Sequence, residues 1–162
     1  MITKKKHSLL FICLGNICRS PAAEGVMKAK VKECGLDKDF FIDSAGIGDW
    51  HVGQLPDSRM RDRGARRGYR FDSHARQIRQ SDFDDFDLLL VMDKANYKAV
   101  TALAPTGEAR AKVRMLTDYL VEHSGTDVVP DPYYGDLTDF DYALDLIEDA
   151  CEGWLGEISG NY

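Results

Sequence analysis

The sequence predicts an open, doubly wound α/β fold of about four parallel strands with helices on both faces, and three observations carry that reading. Short apolar runs without polar alternation, His7–Cys13 and Asp87–Met92 above all, have the pattern of strands buried on both sides of a parallel sheet. Segments of helical spacing alternate with these runs along the chain. Short turns rich in Gly, Pro, Asn and Asp separate the two kinds, with no internal repeat, low-complexity tract or linker, so residues 1–162 are read as a single domain.

The first strand, His7–Cys13, runs into Gly15 and Asn16. Then Ser20-Pro21 reads as a helix cap followed by proline in the first turn, opening a helix to about Lys32. Phe40–Asp43 reads as the second strand, running into a turn at Ser44-Ala45-Gly46, and Pro56–Arg67 as a helix stopped by Gly68. Asp87–Met92 is the clearest central strand. A helix over Asp93–Leu103, halted near Pro105, leads to a fourth strand at Lys112–Leu116. Leu144, Ile147, Cys151, Trp154, Leu155 and Ile158 share one stripe of a terminal helix over Asp139–Ile158.

The 162 residues are 44% hydrophobic and 30% charged, the balance of a soluble globular protein with a core of its own. Met1–His7 is polar and lysine-rich, and the apolar run after it is too short for a signal sequence or a membrane span, so a cytoplasmic protein is expected. A net charge of −6 argues against a general nucleic-acid binder. Arginines cluster between Arg59 and Arg79, either as a solvated face or as a docking surface for acidic phosphoproteins. Cys13, Cys18, Cys34 and Cys151 form no Cys-x-x-Cys pair, so neither zinc nor a disulfide framework is expected. Reactivity of a particular cysteine is the remaining option.

Cys13-Leu14-Gly15-Asn16-Ile17-Cys18-Arg19-Ser20 lies where doubly wound sheets bind ligands, past the carboxyl end of a strand. Gly15 and Asn16 tolerate left-handed backbone angles that turn successive N–H groups inward around an anion. The helix start near Pro21 adds its positive end, and Arg19 a planar fork of donors. A tetrahedral oxyanion fits such a cradle. The same field favours the thiolate of Cys13 and makes its sulfur a nucleophile. The nucleotide P-loop is a different pattern, needing Gly-Lys-Ser/Thr.

Residues 13–20 resemble the signature of the low-molecular-weight protein tyrosine phosphatases, and Asp131-Pro132-Tyr133-Tyr134 resembles that family's general-acid loop. Asp43-Ser44-Ala45-Gly46, Trp50-His51-Val52-Gly53, Asp57-Ser58-Arg59, Ala75-Arg76-Gln77 and Met92-Asp93-Lys94-Ala95-Asn96 resemble further family motifs, in order. The resemblance implies that Cys13 attacks phosphorus while Arg19 and the loop residues Leu14, Gly15, Asn16, Ile17, Cys18 and Ser20 hold the phosphate. It implies that Asp131 protonates the leaving phenolate and then activates the water that hydrolyses a cysteinyl-phosphate, with Ser20 assisting thiolate departure. Asn16, Ser20 and Ser44 would brace the loop. Trp50, Tyr133 and Tyr134 would wall the substrate pocket. No cofactor or metal is implied, and the implied partners are tyrosine-phosphorylated proteins met by a monomer or weakly self-associating chain. Cys18 is placed to capture an oxidised Cys13. The family's histidine two residues before Ala-Arg-Gln is Ser73 here, with His74 directly before Ala75, so either residue is open for that role.

Two related branches are disfavoured. Arsenate reductases relay a disulfide through cysteines before and around the third helix, and residues 78–100 contain none. Protein-arginine phosphatases carry threonine at the position of Ile17 and lack the double tyrosine. A phosphate-binding adaptor with a dead site would have no use for Cys13, Arg19 and Asp131 together.

Overall fold

The computed structural model describes residues 5–159; residues 1–4 of the polar N-terminal segment lie outside them. Four parallel strands, β1 (His7–Cys13), β2 (Phe40–Gly46), β3 (Leu88–Val91) and β4 (Val113–Met115), form one sheet in the order β2-β1-β3-β4. The helices are α1 (Arg19–Glu33), α2 (Ser58–Ala65), α3 (Asp82–Asp85), α4 (Lys94–Leu103), α5 (Gly107–Ala111) and α6 (Leu137–Ser159). The expected α/β architecture is present.

Side chains along β1 alternate between two apolar layers, as the unbroken hydrophobic run requires. Leu9, Phe11 and Cys13 enter the layer shared with α1 and α6, where Val26, Met27, Leu144, Ile147 and Trp154 are buried. Leu10 and Ile12 enter the opposite layer with Phe83 of α3, Val100 of α4 and Ala109 of α5. Helices thus cover both faces.

The boundaries differ from the sequence reading in a few places. Ser44–Gly46 continues β2 instead of turning, because its backbone pairs with Phe11, Ile12 and Cys13 of β1. The second helix starts at Ser58, capped by the Asp57 carboxylate, which accepts the Arg59 N–H at 2.9 Å. Asp82–Asp85 and Gly107–Ala111 are short helices to which the sequence analysis assigns no element. No helix among the described residues is long and apolar enough to cross a membrane.

The chain leaves β1 toward β2 on one side and later returns to β3 on the other, so the reversal of strand order falls at the carboxyl end of β1. Cys13 stands there.

Candidate active site

The loop from Cys13 to Arg19 joins β1 to α1 and forms the floor of a cleft of about 340 Å³. Cys13, Leu14, Gly15, Ile17, Cys18 and Arg19 line its base, and Trp50, His51, Asp131, Tyr133 and Tyr134 its walls. Of the residues expected to bind phosphate, Leu14, Gly15, Ile17, Cys18 and Arg19 share this cavity with Cys13, Asp131 and the expected ring-binding residues, whereas Asn16 and Ser20 lie outside its lining.

Asn16 alone in this loop is left-handed, with φ 58°. Gly15 lies outside that region, and its value is space: a Cβ there would stand 3.0 Å from His51 Cδ2. Ser20 does not cap the helix; Cys18 occupies the cap position without a side-chain bond, and Ser20 is fully buried in the first turn. Its Oγ lies 3.0 Å from Cys13 Sγ.

The hydrogen-bond directions around Cys13 follow from donor inventory. Asn16 Nδ2 donates to Ser20 Oγ at 2.7 Å and to Ser44 Oγ at 3.0 Å. Ser44 Oγ donates in turn to Glu24 Oε1 at 2.6 Å, and Lys28 Nζ donates to Glu24 Oε2 at 2.6 Å. A carboxylate only accepts, so the Ser44 proton points to Glu24 and its lone pair to Asn16. Ser20, accepting from Asn16, has its own proton for Cys13 Sγ at 3.0 Å or for the Ala45 carbonyl at 3.4 Å. The backbone N–H of Arg76 donates to Asn16 Oδ1 at 3.0 Å. That bond fills the place considered for Ser73 or His74: His74 is exposed, and no side-chain bond joins either residue to Asn16. Asn16 is thus hydrogen-bonded to both Ser20 and Ser44, and Glu24, which the sequence analysis does not single out, extends the chain.

Arg19 is 2% exposed. Its Nη1 donates to Asp93 Oδ2 at 2.7 Å and to the Val129 carbonyl at 2.9 Å, and its Nη2 stands 3.6 Å from Asp131 Oδ2. Nε has no partner, the one such buried side-chain nitrogen or oxygen among the described residues. Asp93 caps α4 through its other oxygen, accepting from Asn96 N at 2.7 Å, so helix and arginine are locked together.

Asp131 is exposed, and its Oδ1 accepts the Tyr133 N–H at 3.1 Å. The Tyr133 and Tyr134 rings meet edge to face at 4.9 Å. Burial, with Asp57, Cys13 and Asp131 nearby, pushes the Cys18 thiol well above its ordinary value. Cys34 is exposed just past α1, and Cys151 is buried in α6 with its thiol pushed up to about 12 by burial.

The arginine cluster is largely spent within the molecule. Arg63 pairs with Asp141 at 2.8 Å, Arg67 with Asp145 at 2.9 Å and with Glu148, and Arg76 with Asp43 and Asp82 at 3.0 Å. Arg59, Arg66, Arg70 and Arg79 also face acids. Arg61, exposed, instead donates to the Pro56 carbonyl at 2.9 Å, so most of the cluster is paired within the molecule and the docking-surface reading gains no support.

Residues 8–161 match the family model described as low molecular weight phosphotyrosine protein phosphatase. The chain belongs to that family. A Synechocystis chain whose name provisionally assigns it to the low molecular weight protein-tyrosine-phosphatases is 50% identical over 93% of this chain and 95% of its own. The crystal structure of a protein tyrosine phosphatase from Entamoeba histolytica superposes with a TM-score of 0.90 at 42% identity, covering 96% of this chain and 99% of that one. A Drosophila arginine phosphatase is also similar, with a TM-score of 0.86 at 31% identity over 93% of this chain and 97% of its own.

Proposed function

We propose that the chain hydrolyses phosphotyrosine in proteins, and small aryl phosphates, through a cysteinyl-phosphate formed on Cys13. The observation that carries this reading is Arg19: a buried guanidinium whose Nε has no hydrogen-bond partner, lining the cleft that holds Cys13 and Asp131. An equatorial phosphoryl oxygen would take the Nε–H, and the amides of the Leu14–Cys18 loop the others.

In this mechanism Cys13 Sγ attacks phosphorus in line as the thiolate. The P–O bond to the phenol breaks, and Asp131 delivers its proton to the departing oxygen. Water next attacks the phosphorus with Asp131 taking its proton, and the Ser20 hydroxyl stabilises the returning thiolate. Loop amides and Arg19 supply the positive charge the transition state needs, so the mechanism asks for no metal. Ile17, Trp50, Tyr133 and Tyr134 offer a flat ring an apolar slot. The test compares kcat/KM for a phosphotyrosine peptide with those for phosphoserine and phosphoarginine peptides. A large preference for phosphotyrosine is expected; equal turnover of phosphoarginine would move the chain to the arginine-phosphatase branch.

Free thiols at Cys13 and Cys18 suit a reducing compartment, and we place the enzyme in the cytoplasm as one domain. Peroxide oxidises the Cys13 thiolate to a sulfenic acid, which the Cys18 thiol then attacks, releasing water and closing a disulfide. Dithiothreitol is expected to restore the parent after peroxide and to fail with Cys18→Ser; equal recovery of both proteins excludes the disulfide.

A further inference from the structure

Two arginines grip the loop that carries Asp131, one on each side. Arg19 holds the carbonyl of Val129, two residues before it. Arg59 Nη2 donates to the carbonyl of Tyr133, two residues after it, at 3.0 Å. Only the first of these arginines lines the cleft.

Arg59 is held in turn by Asp57 and by two rings. Its backbone N–H, Nε and Nη2 all donate to the Asp57 carboxylate, at 2.9, 3.0 and 2.9 Å. Its guanidinium stacks 4.6 Å from the centroid of Phe140, a fully buried ring of α6, and 5.5 Å from that of Tyr133. The Asp57 N–H donates at 2.7 Å to the carbonyl of Ile17, inside the phosphate loop. A continuous path therefore runs from Ile17 through Asp57 and Arg59 to Tyr133, and the Tyr133 N–H holds Asp131 Oδ1 at 3.1 Å.

We infer that Asp57 and Arg59 form a clamp that registers the general-acid loop against the phosphate loop, making Arg59 a positioning residue for proton transfer by Asp131. The inference rests on the reading of Asp131 as general acid. Tyr133 is the pivot, since its C=O is fixed by Arg59 while its N–H fixes the carboxylate. An exposed carboxylate on a short loop otherwise samples many positions, and misplacement of a catalytic group by about 1 Å costs about 10²-fold. The side-chain bond from Arg59 is the chief cause that holds the Asp57 carboxyl below its ordinary value.

The discriminating experiment varies the leaving group. Phosphotyrosine releases a phenol that needs a proton, whereas 2,4-dinitrophenyl phosphate releases a phenolate that does not. In Arg59→Ala, kcat/KM for phosphotyrosine is expected to fall about tenfold or more, and that for 2,4-dinitrophenyl phosphate to stay within about twofold. The basic limb of the phosphotyrosine pH profile should flatten in the same variant, and Arg59→Lys, which keeps one donor for Tyr133, should recover part of the loss. Combined with Asp131→Ala, the Arg59 substitution should cost nothing further. Equal losses on both substrates, or additive losses in the double variant, overturn the clamp. If Arg59→Ala does not fold, Asp57→Asn carries the same comparison, because it loosens Arg59 without removing it. Undiminished phosphotyrosine turnover in Asp131→Ala alone would instead refute the general-acid reading, and the clamp with it.

Discussion

Between Cys13 and Ser20 the polar side chains are buried and cross-linked, whereas Asp131, Tyr134, Gly135 and Asp136 stand exposed on the facing loop. One wall of the cleft is therefore fixed by a chain of bonds from Lys28 to Cys13, and the other by a few contacts at Val129, Tyr133 and Arg59. The contrast follows from the chemistry each side is given. Binding a dianion needs donors that do not reorganise as charge develops. Delivering a proton needs a carboxyl that water and substrate can reach.

The largest effects should come from the buried wall. Cys13→Ser is expected to abolish hydrolysis of p-nitrophenyl phosphate. Arg19→Lys should lower kcat/KM by about 10² to 10³, because a lysine cannot span Asp93, Val129 and a phosphoryl oxygen at once. Near-parental activity in Arg19→Lys would show that the fork is not what binds phosphate. On the exposed wall, Asp131→Ala should slow phosphotyrosine hydrolysis about 10²-fold while thermal stability stays within about 0.5 kcal/mol of the parent, as for other surface substitutions. A large loss of stability there would erase the contrast between the two sides.

Ser44→Ala probes the bracing chain and should act on fold more than chemistry. It leaves Glu24, 3% exposed, with Lys28 as its remaining partner and removes one acceptor from Asn16. A destabilisation of about 1–3 kcal/mol in urea unfolding is expected. An unchanged midpoint would mean that water replaces the hydroxyl.

Glu24, the acceptor of the Ser44 proton, marks where sequence reading runs out. The loop was legible because its residue types sit side by side: a cysteine at a strand end, Gly15-Asn16, an arginine and a proline at the helix start. Strands were legible because burial on both faces leaves unbroken apolar runs, as at Leu9–Cys13. Glu24, Asp93 and Arg59 were not recognised as site residues, since each acts through a partner far away in sequence: Ser44, Arg19 and Tyr133. Their roles depend on which strands lie side by side. Asp82–Asp85 and Gly107–Ala111 are too short to show a helical period, although Thr106 caps the second by accepting from Ala109 N at 3.0 Å. Family spacing points to Ser73 and residue type to His74 for the contact with Asn16, whereas the backbone N–H of Arg76, which leaves no mark in sequence, donates to Asn16 Oδ1.

Upstream of the exposed loop, Asp149 of α6 ties down the turn at Val121–His123. Its carboxylate accepts from three backbone N–H groups and from His123 Nδ1 at 2.9 Å. Burial pushes this carboxyl up, but the bonds from His123, Glu122 and Val121 outweigh it and hold it below 3.8. A lowered value stabilises the fold above the ordinary carboxylate range, and that contribution is lost as pH falls through the folded value. Asp149→Asn should therefore cost about 1 kcal/mol at pH 7 and converge on the parent in acid. A difference that persists in acid would assign the effect to packing.

The smallest effects belong to the rim. Tyr134 is 94% exposed and Trp50 65% exposed, so neither holds the fold, and each ring has a face free for a substrate ring. An aromatic pair is worth about 0.5–1.5 kcal/mol beyond its area, which is about 2- to 10-fold in kcat/KM. Tyr134→Ala and Trp50→Ala should each lose about that much on a phosphotyrosine peptide, chiefly through KM. Inorganic phosphate has no ring, and as a competitive inhibitor it reads the buried wall alone. Its inhibition constant should match the parent in both variants, because the Leu14–Cys18 amides and Arg19 are untouched. If phosphate inhibition weakens along with peptide turnover, the rim residues hold the phosphate loop in place and the two walls are one unit.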